Sequence, residues 1–132
     1  MNAITPNLEQ FQQLAAAPDT GPVVMINLLK FRDSGVDDES GAVEYRRYGD
    51  VALEMIAAQG GRLLWAGTAD QVLIGDAEQQ WDAVLLVEYP SRAAFIEMVS
   101  SAEYLEAHAH RERALESTVV IACSPAPAGT GI

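Results

Sequence analysis

Histidine 108 is the side chain of this chain best suited to move a proton, because imidazole titrates near neutrality without help from its surroundings. On a helix, Tyr104 lies four residues before it, Arg111 three after and Glu112 four after, so hydrogen-bonding and charged partners are within reach of its ring. Against this stands the plain alternative of a surface histidine in a polar helix. His110 falls on another face, since positions i and i+2 differ by roughly 200° around a helix. The pair therefore makes no two-ligand metal site, and with no further histidine a protein zinc or iron site of the usual kind is not predicted.

Asn27 is the second candidate. It interrupts the apolar run Pro22-Val23-Val24-Met25-Ile26-Asn27-Leu28-Leu29-Lys30-Phe31, and a carboxamide there must be hydrogen-bonded or face something polar. Tyr45 and Tyr48 share one helical stripe, so their rings pack while their hydroxyls need partners. Trp65 either lines a pocket or fills core, and core is the preferred reading. Arg111 either holds a carboxylate or pairs with Glu112 or Glu106 at the surface. Lys30 carries no specific signal.

The elements that must position these groups follow from periodicity. Thr5-Pro6 predicts a helix start, with Thr5 as cap and Pro6 at the first helical position, and an amphipathic cover up to Pro18. The run 22–31 is too short and too β-branched for a helix and reads as a buried strand, with Asn27, Met25, Leu29 and Phe31 on one face. Residues 42–59 take helical period, with Tyr45, Tyr48, Ala52, Met55, Ile56 and Gln59 on one face and Glu44, Arg47, Asp50 and Glu54 largely elsewhere. Residues 62–67 and 71–75 read as one strand bent by a bulge at 67–70, and 81–89 as a second well-buried strand. Ser91 caps the next helix, a further helical segment runs from Ala102 to Glu116, and 117–123 closes the pattern as a strand. The tail 124–132, rich in Pro and Gly, is predicted to be disordered.

This order is a helix followed by βαββαβ, the α+β ferredoxin-like pattern: a four-stranded antiparallel sheet with both helices on one face. Domain organisation follows as an N-terminal helical extension over 1–21, one domain over 22–123 and the tail. Both parities of the first and third strands are apolar, so the uncovered face of the sheet needs a partner. The simplest is a second copy related by a two-fold axis, and a homodimer is predicted.

Bulk properties narrow the classes. At 132 residues the chain suits a single core. A formal charge of −11 argues against nucleic acid and against anionic membrane surfaces. One cysteine, Cys123, allows no internal disulfide and no zinc-type cluster. The start has no basic residue and no apolar stretch of signal-peptide type, and no run approaches the ~20 apolar residues of a membrane helix, so a cytoplasmic location is expected. No glycine-rich phosphate loop, no Gly-x-Ser-x-Gly elbow and no Cys–His nucleophile pair is present, which sets aside those hydrolases and nucleotide enzymes.

The segments Val23–Phe31, Tyr45-Arg46-Arg47-Tyr48-Gly49, Gly60-Gly61-Arg62-Leu63-Leu64-Trp65-Ala66-Gly67 and Ser101-Ala102-Glu103-Tyr104, in that order, resemble the DUF1330 family of the dimeric α/β-barrel superfamily, over about Pro22 to Cys123. The resemblance implies the fold and dimer reached above and a cavity in each subunit between sheet and helices; it supplies no reaction. More distantly, the chain is similar to the haem-degrading monooxygenases of that superfamily, which carry an Asn on the first strand, a Trp on the second helix and a haem-ligating His after a Ser-x-x-aromatic run. Asn27 and the run Ser101 to His108 match; the Trp position is Met98, which puts haem degradation in doubt.

Three readings result. The leading one is a small-molecule enzyme of monooxygenase, isomerase or lyase type, without a tightly bound organic cofactor. Its substrate would be apolar or aromatic and oxygenated; His108 moves a proton, Asn27 with Tyr45 or Tyr48 holds an oxygen, and Trp65 and Arg111 contribute to binding. The second is a haem-binding protein using His108. The third is a non-catalytic ligand-binding dimer.

Overall fold

The computed structural model describes residues 5–33, 40–76 and 78–129. Its elements run α1 (Leu8–Ala16), β1 (Val23–Phe31), α2 (Gly41–Ala58), β2 (Arg62–Thr68), β3 (Ala83–Tyr89), α3 (Arg92–Val99), α4 (Ala102–Ala114) and β4 (Leu115–Cys123). The four strands form one antiparallel sheet in the order β2-β3-β1-β4. This is the ferredoxin-like arrangement, with the N-terminal helix added.

Strand parity decides what each residue faces. Val23, Met25 and Leu29 are buried; Val23 and Met25, with their cross-strand neighbours Tyr89 and Val87, pack with Ile56 of α2, Met98 of α3 and Tyr104 of α4. A second cluster joins Leu29 to Ala114 and Leu115, with Phe31, Tyr45, Ala83 and Leu85 packed around it. The helices thus cover one face. The other face carries apolar rows in register: Ile26 sits between Leu86 and Ile121, and Leu28 between Val84 and Val119. Val119 and Ile121 remain 40% and 47% exposed.

Local details depart from the sequence reading in three places. The α1 cap is Asn7, whose Oδ1 accepts from Gln10 N at 2.8 Å, rather than Thr5, so Pro6 precedes the helix. Asn in extended backbone offers an acceptor at the right distance and takes the role. The predicted strand over 71–75 is irregular chain, with Leu73 and Ile74 82% and 91% exposed. Backbone pairing between β2 and β3 closes at Ala69 N to Asp82 O, 3.0 Å, and beyond it these residues have no neighbouring strand among the described residues. The register shift in β2 lies between Leu63 and Trp65, not at 67–70. Residues 124–129 carry no helix or strand, and 130–132 lie outside the described residues.

The extension is tied to the domain through Asp19, whose two carboxylate oxygens accept from Arg92 N and Ala93 N at the start of α3 at 3.0 and 3.1 Å. No helix among the described residues is long and apolar enough to cross a membrane.

Candidate functional site

The inner faces of α2 and α4 meet over the sheet. On α2, Tyr45 and Tyr48 are three residues apart; on α4, Tyr104, His108 and Arg111 follow at i, i+4 and i+7. The rings of Phe31, Tyr45, Tyr48 and Tyr104 succeed one another at centroid separations of 5.6, 5.2 and 6.0 Å. They occupy the inner face, where the family resemblance implies a cavity. The Tyr48 and Tyr104 hydroxyls lie 2.7 Å apart and share a hydrogen bond.

Arg111, only 6% exposed, is the charge at the centre of this array. Its Nη2 donates to Thr118 Oγ1 at 3.3 Å, Thr118 in turn donates to Leu28 O at 2.7 Å, and the guanidinium also reaches the Tyr45 hydroxyl. Burial pushes all three phenols above their ordinary range, and although Arg111 opposes this at each, burial dominates. They are therefore neutral hydroxyls at pH 7, able to donate to an oxygen that gains negative charge.

The His108 ring lies against Tyr104 at 5.7 Å, and the histidine is largely buried rather than on the surface. Its Nε2 faces Glu112 Oε1 at 3.5 Å. Its Nδ1 is wholly buried and has no hydrogen-bond partner among the described residues. Burial first, and the Arg111 charge second, lower its pKa below 6.5, with Glu112 opposing. A neutral ring with its proton on Nε2, toward the carboxylate, leaves the lone pair on the buried Nδ1.

The structure thus gathers Tyr45, Tyr48, His108 and Arg111. It adds Tyr104 and Thr118; Tyr104 shares a helical face with His108 and was readable on that ground, while Thr118 carried no local signal. Asn27 is on the helix-facing side of β1 but bonds within its own strand, Nδ2 to Met25 O at 3.1 Å. Trp65 belongs to neither the core nor this set. It is 54% exposed on the opposite face of the sheet, paired with Leu86 and laid over Gly67, where an added Cβ would overlap its indole. Arg111 is buried among tyrosines rather than paired at the surface. A separate groove of about 380 Å³ between α2 and the α3–α4 junction, with Val51, Met55, Ala58 and Met98 flanked by Glu54 and Glu97, contains none of these residues.

Sequence reasoning also missed Glu44, which is 3% exposed on α2. Its Oε1 accepts from His110 Nδ1 at 2.7 Å and Arg113 Nε at 3.1 Å, and its Oε2 from Arg47 Nη1 at 2.6 Å. His110 Nδ1 and Arg113 Nη2 are 2.9 Å apart, and both serve as donors to this one carboxylate, since a guanidinium cannot accept. The His110 hydrogen bond, with those of Arg47 and Arg113, outweighs burial and holds the Glu44 carboxyl down at about 2, against an ordinary value of 4.5. The folded state therefore gains stability above pH 4.5 and loses it as pH falls through about 2. Because the covering arginines are themselves half-exposed, screening reduces the effect to the order of 1–2 kcal/mol. Unfolding free energies from urea titrations at pH 5 and pH 2.5 are expected to differ less in Glu44→Gln than in the parent by this amount.

Haem ligation needs an imidazole nitrogen that opens onto room for a porphyrin. Here Nδ1 is buried, Nε2 faces Glu112, and the ring rests on Tyr104. Met98, 2% exposed, is locked in the core with Val23 and Tyr104. The described residues do not fit the group. Nor do they include any cluster of three His, Cys, Asp or Glu side chains placed to hold a metal ion.

The fold and the tyrosine–arginine–histidine array define a ferredoxin-like α+β protein with a polar cluster enclosed between helices and sheet. The family model described as a domain of unknown function, DUF1330, matches residues 36–124, and the chain belongs to that family. It is similar, at 36% identity and a TM-score of 0.89, to a protein of unknown function from Rhodopseudomonas palustris, covering 96% of this chain and 99% of that one. A dimeric protein of unknown function and ferredoxin-like fold from Bacteroides fragilis aligns at 18% identity and a TM-score of 0.53, over 79% of this chain and 96% of that one. A protein assigned to the antibiotic biosynthesis monooxygenases from Caulobacter crescentus aligns at 13% identity and a TM-score of 0.50, over 81% and 92%. The last two share the fold alone. No curated protein matches the chain.

Proposed function

We propose that the chain is a small-molecule enzyme that moves a proton on an oxygenated, apolar or aromatic substrate. The observation that carries this is the buried, unpartnered Nδ1 of a neutral His108 beside the Arg111 guanidinium and three neutral phenols. His108 Nδ1 takes a proton from a carbon next to a carbonyl, and the C–H electron pair moves onto the carbonyl oxygen. Arg111 and the phenols stabilise the enolate so formed. Return of the proton to the enolate oxygen, or to the far carbon of a conjugated double bond where the substrate carries one, completes an isomerisation. Tyr45 is the ring whose hydroxyl is not shared with another phenol, so it is the one a substrate displaces on entry.

The test is deuterium incorporation at the α-carbons of a panel of aryl β-diketones in D2O, followed by proton NMR. Exchange catalysed by the parent and lost in His108→Gln supports the reading. Saturable binding of the same compounds without exchange would instead favour the non-catalytic ligand-binding reading. A hemin titration giving a His108-dependent Soret shift would overturn the assignment of His108 as a base.

A homodimer belongs to the same proposal. The in-register rows Leu86-Ile26-Ile121 and Val84-Leu28-Val119, with Trp65 beside them, form a contiguous apolar face of the kind that marks an association surface. The Bacteroides fragilis neighbour is described as dimeric. Ile26→Asp is expected to raise the dimer dissociation constant at least ~100-fold in sedimentation equilibrium, because an unpaired carboxylate would be buried at the centre of that face. Trp65 emission is expected to shift to the blue on association.

A further inference from the structure

The groove between α2 and the α3–α4 junction combines two features that the polar cluster does not use. Its floor is apolar: Val51, Met55 and Ala58 fall at i, i+4 and i+7 on α2, and Met98, 2% exposed, closes it from α3. Its rim is acidic, with Glu54 from α2, Glu97 from α3 and Glu103 from α4. No Lys, Arg or His among the described residues lines it. The described ion pairs engage other carboxylates, those of Glu44, Glu88, Glu112 and Glu116.

The helix ends act in the same direction. α2 closes at Ala58 and α3 at Val99, both beside the groove, and neither has a basic residue in its last turn. Their unpaired carbonyls add partial negative charge at a place where a cation ordinarily compensates it. Glu97 lies in the last turn of α3, where a carboxylate lowers helix stability. α4 begins at the same junction with its positive pole, and Glu103 in its first turn offsets that pole. The field in the groove is therefore negative, and it falls on an apolar surface.

We infer that this groove binds a small organic cation, an ammonium group carried on an apolar aryl or alkyl body. The ammonium is held among Glu54, Glu97 and Glu103, and the apolar body lies on Met55, Ala58 and Met98. The volume of about 380 Å³ is that of a small-molecule site and suits a single ring with a short chain. A ligand of this kind accounts for both features together: it covers the exposed apolar side chains and supplies the positive charge that the helix ends lack. The site shares no residue with the His108 cluster, so the inference stands apart from the proton-transfer reading.

The experiment is a titration of the full chain, carrying carbon-13 methionine methyl groups, with 4-phenylbutylammonium. The neutral 4-phenylbutanol and the anionic 4-phenylbutyrate are the controls. Met55 and Met98 report on the groove, and Met25 of β1, which does not line it, reports on the integrity of the core. The expected result is a saturable shift of the Met55 and Met98 methyls by the ammonium, with the alcohol at least ~10-fold weaker and the carboxylate weaker still. Glu54→Gln/Glu97→Gln is expected to remove the preference for ammonium over alcohol without lowering the melting temperature, since both positions are exposed. Ala58→Trp, also at an exposed position, fills the groove and is expected to abolish the shifts. Equal affinity for the ammonium and the alcohol in the parent, or a preference retained in the double variant, overturns the cation site. Shifts that persist at parental affinity in Ala58→Trp overturn the groove as their location. An ammonium that gives no saturable shift up to about 10 mM overturns the inference outright.

Discussion

In His108→Gln, catalysed proton exchange is expected to fall by about 10²–10⁴-fold, the range that removal of a general base produces. Glutamine retains polar atoms and similar bulk, so packing against Tyr104 is preserved and far-UV circular dichroism should not change. What it lacks is a lone pair that becomes a stable cation. The pH dependence supplies the independent readout. Burial and Arg111 hold the His108 pKa below 6.5, so the parental rate stays high at neutral pH and declines only as acidity protonates the ring at a pH below that value. The residual rate of the variant should show no such limb. A parent whose rate falls instead between pH 7 and 8 would assign the proton transfer to some other group.

Gly41→Ala is expected to cost about 3 kcal/mol, and to lower the melting temperature by roughly 10 °C. A Cβ at Gly41 would overlap the Ala114 carbonyl oxygen and stand 2.6 and 2.8 Å from Arg32 N and O. All three obstacles are backbone, and they are joined by hydrogen bonds: Arg32 N to Ala114 O at 2.9 Å and Gly41 N to Arg32 O at 3.0 Å. The methyl group can be admitted only by parting the start of α2 from the end of α4. Gly49, in the middle of α2, has nothing within 4 Å of the same added atom. Gly49→Ala should therefore stabilise the helix by up to about 1 kcal/mol. Opposite signs at two glycines of one helix, read by differential scanning calorimetry, would confirm that space rather than helix propensity governs residue 41; equal signs would refute it.

Much of this architecture was legible because burial imposes period on the chain. Double-sided apolar strands, one helical stripe through Tyr45 and Tyr48, and a serine cap at Ser91 all reflect local rules that the fold obeys. The site was legible where partners share a helix, as His108 and Arg111 do. It was not legible where burial is decided at long range. Glu44 merely falls off the apolar stripe of α2, and only the arrival of His110 and Arg113 from α4 makes it the most enclosed carboxylate described. The segment 71–75 has the composition of a strand, yet a strand requires a neighbour, and composition does not say whether one is present. Trp65 illustrates the same limit: a large aromatic on a strand is assigned to core by default, and its face depends on a one-residue register shift that the sequence does not mark.

That register shift has a further consequence for behaviour at high concentration. β2 is the other open edge of the sheet, and there the chain bulges between Leu63 and Trp65 while Arg62 pairs with Glu88 at 3.1 Å. A kinked, charge-bearing margin is a poor template for another strand. One margin of the molecule invites a strand and the other refuses it, so growth into ribbons and fibrils lacks a second attachment point. Solutions of the protein should remain free of thioflavin-positive aggregates even where the β4 edge is bare.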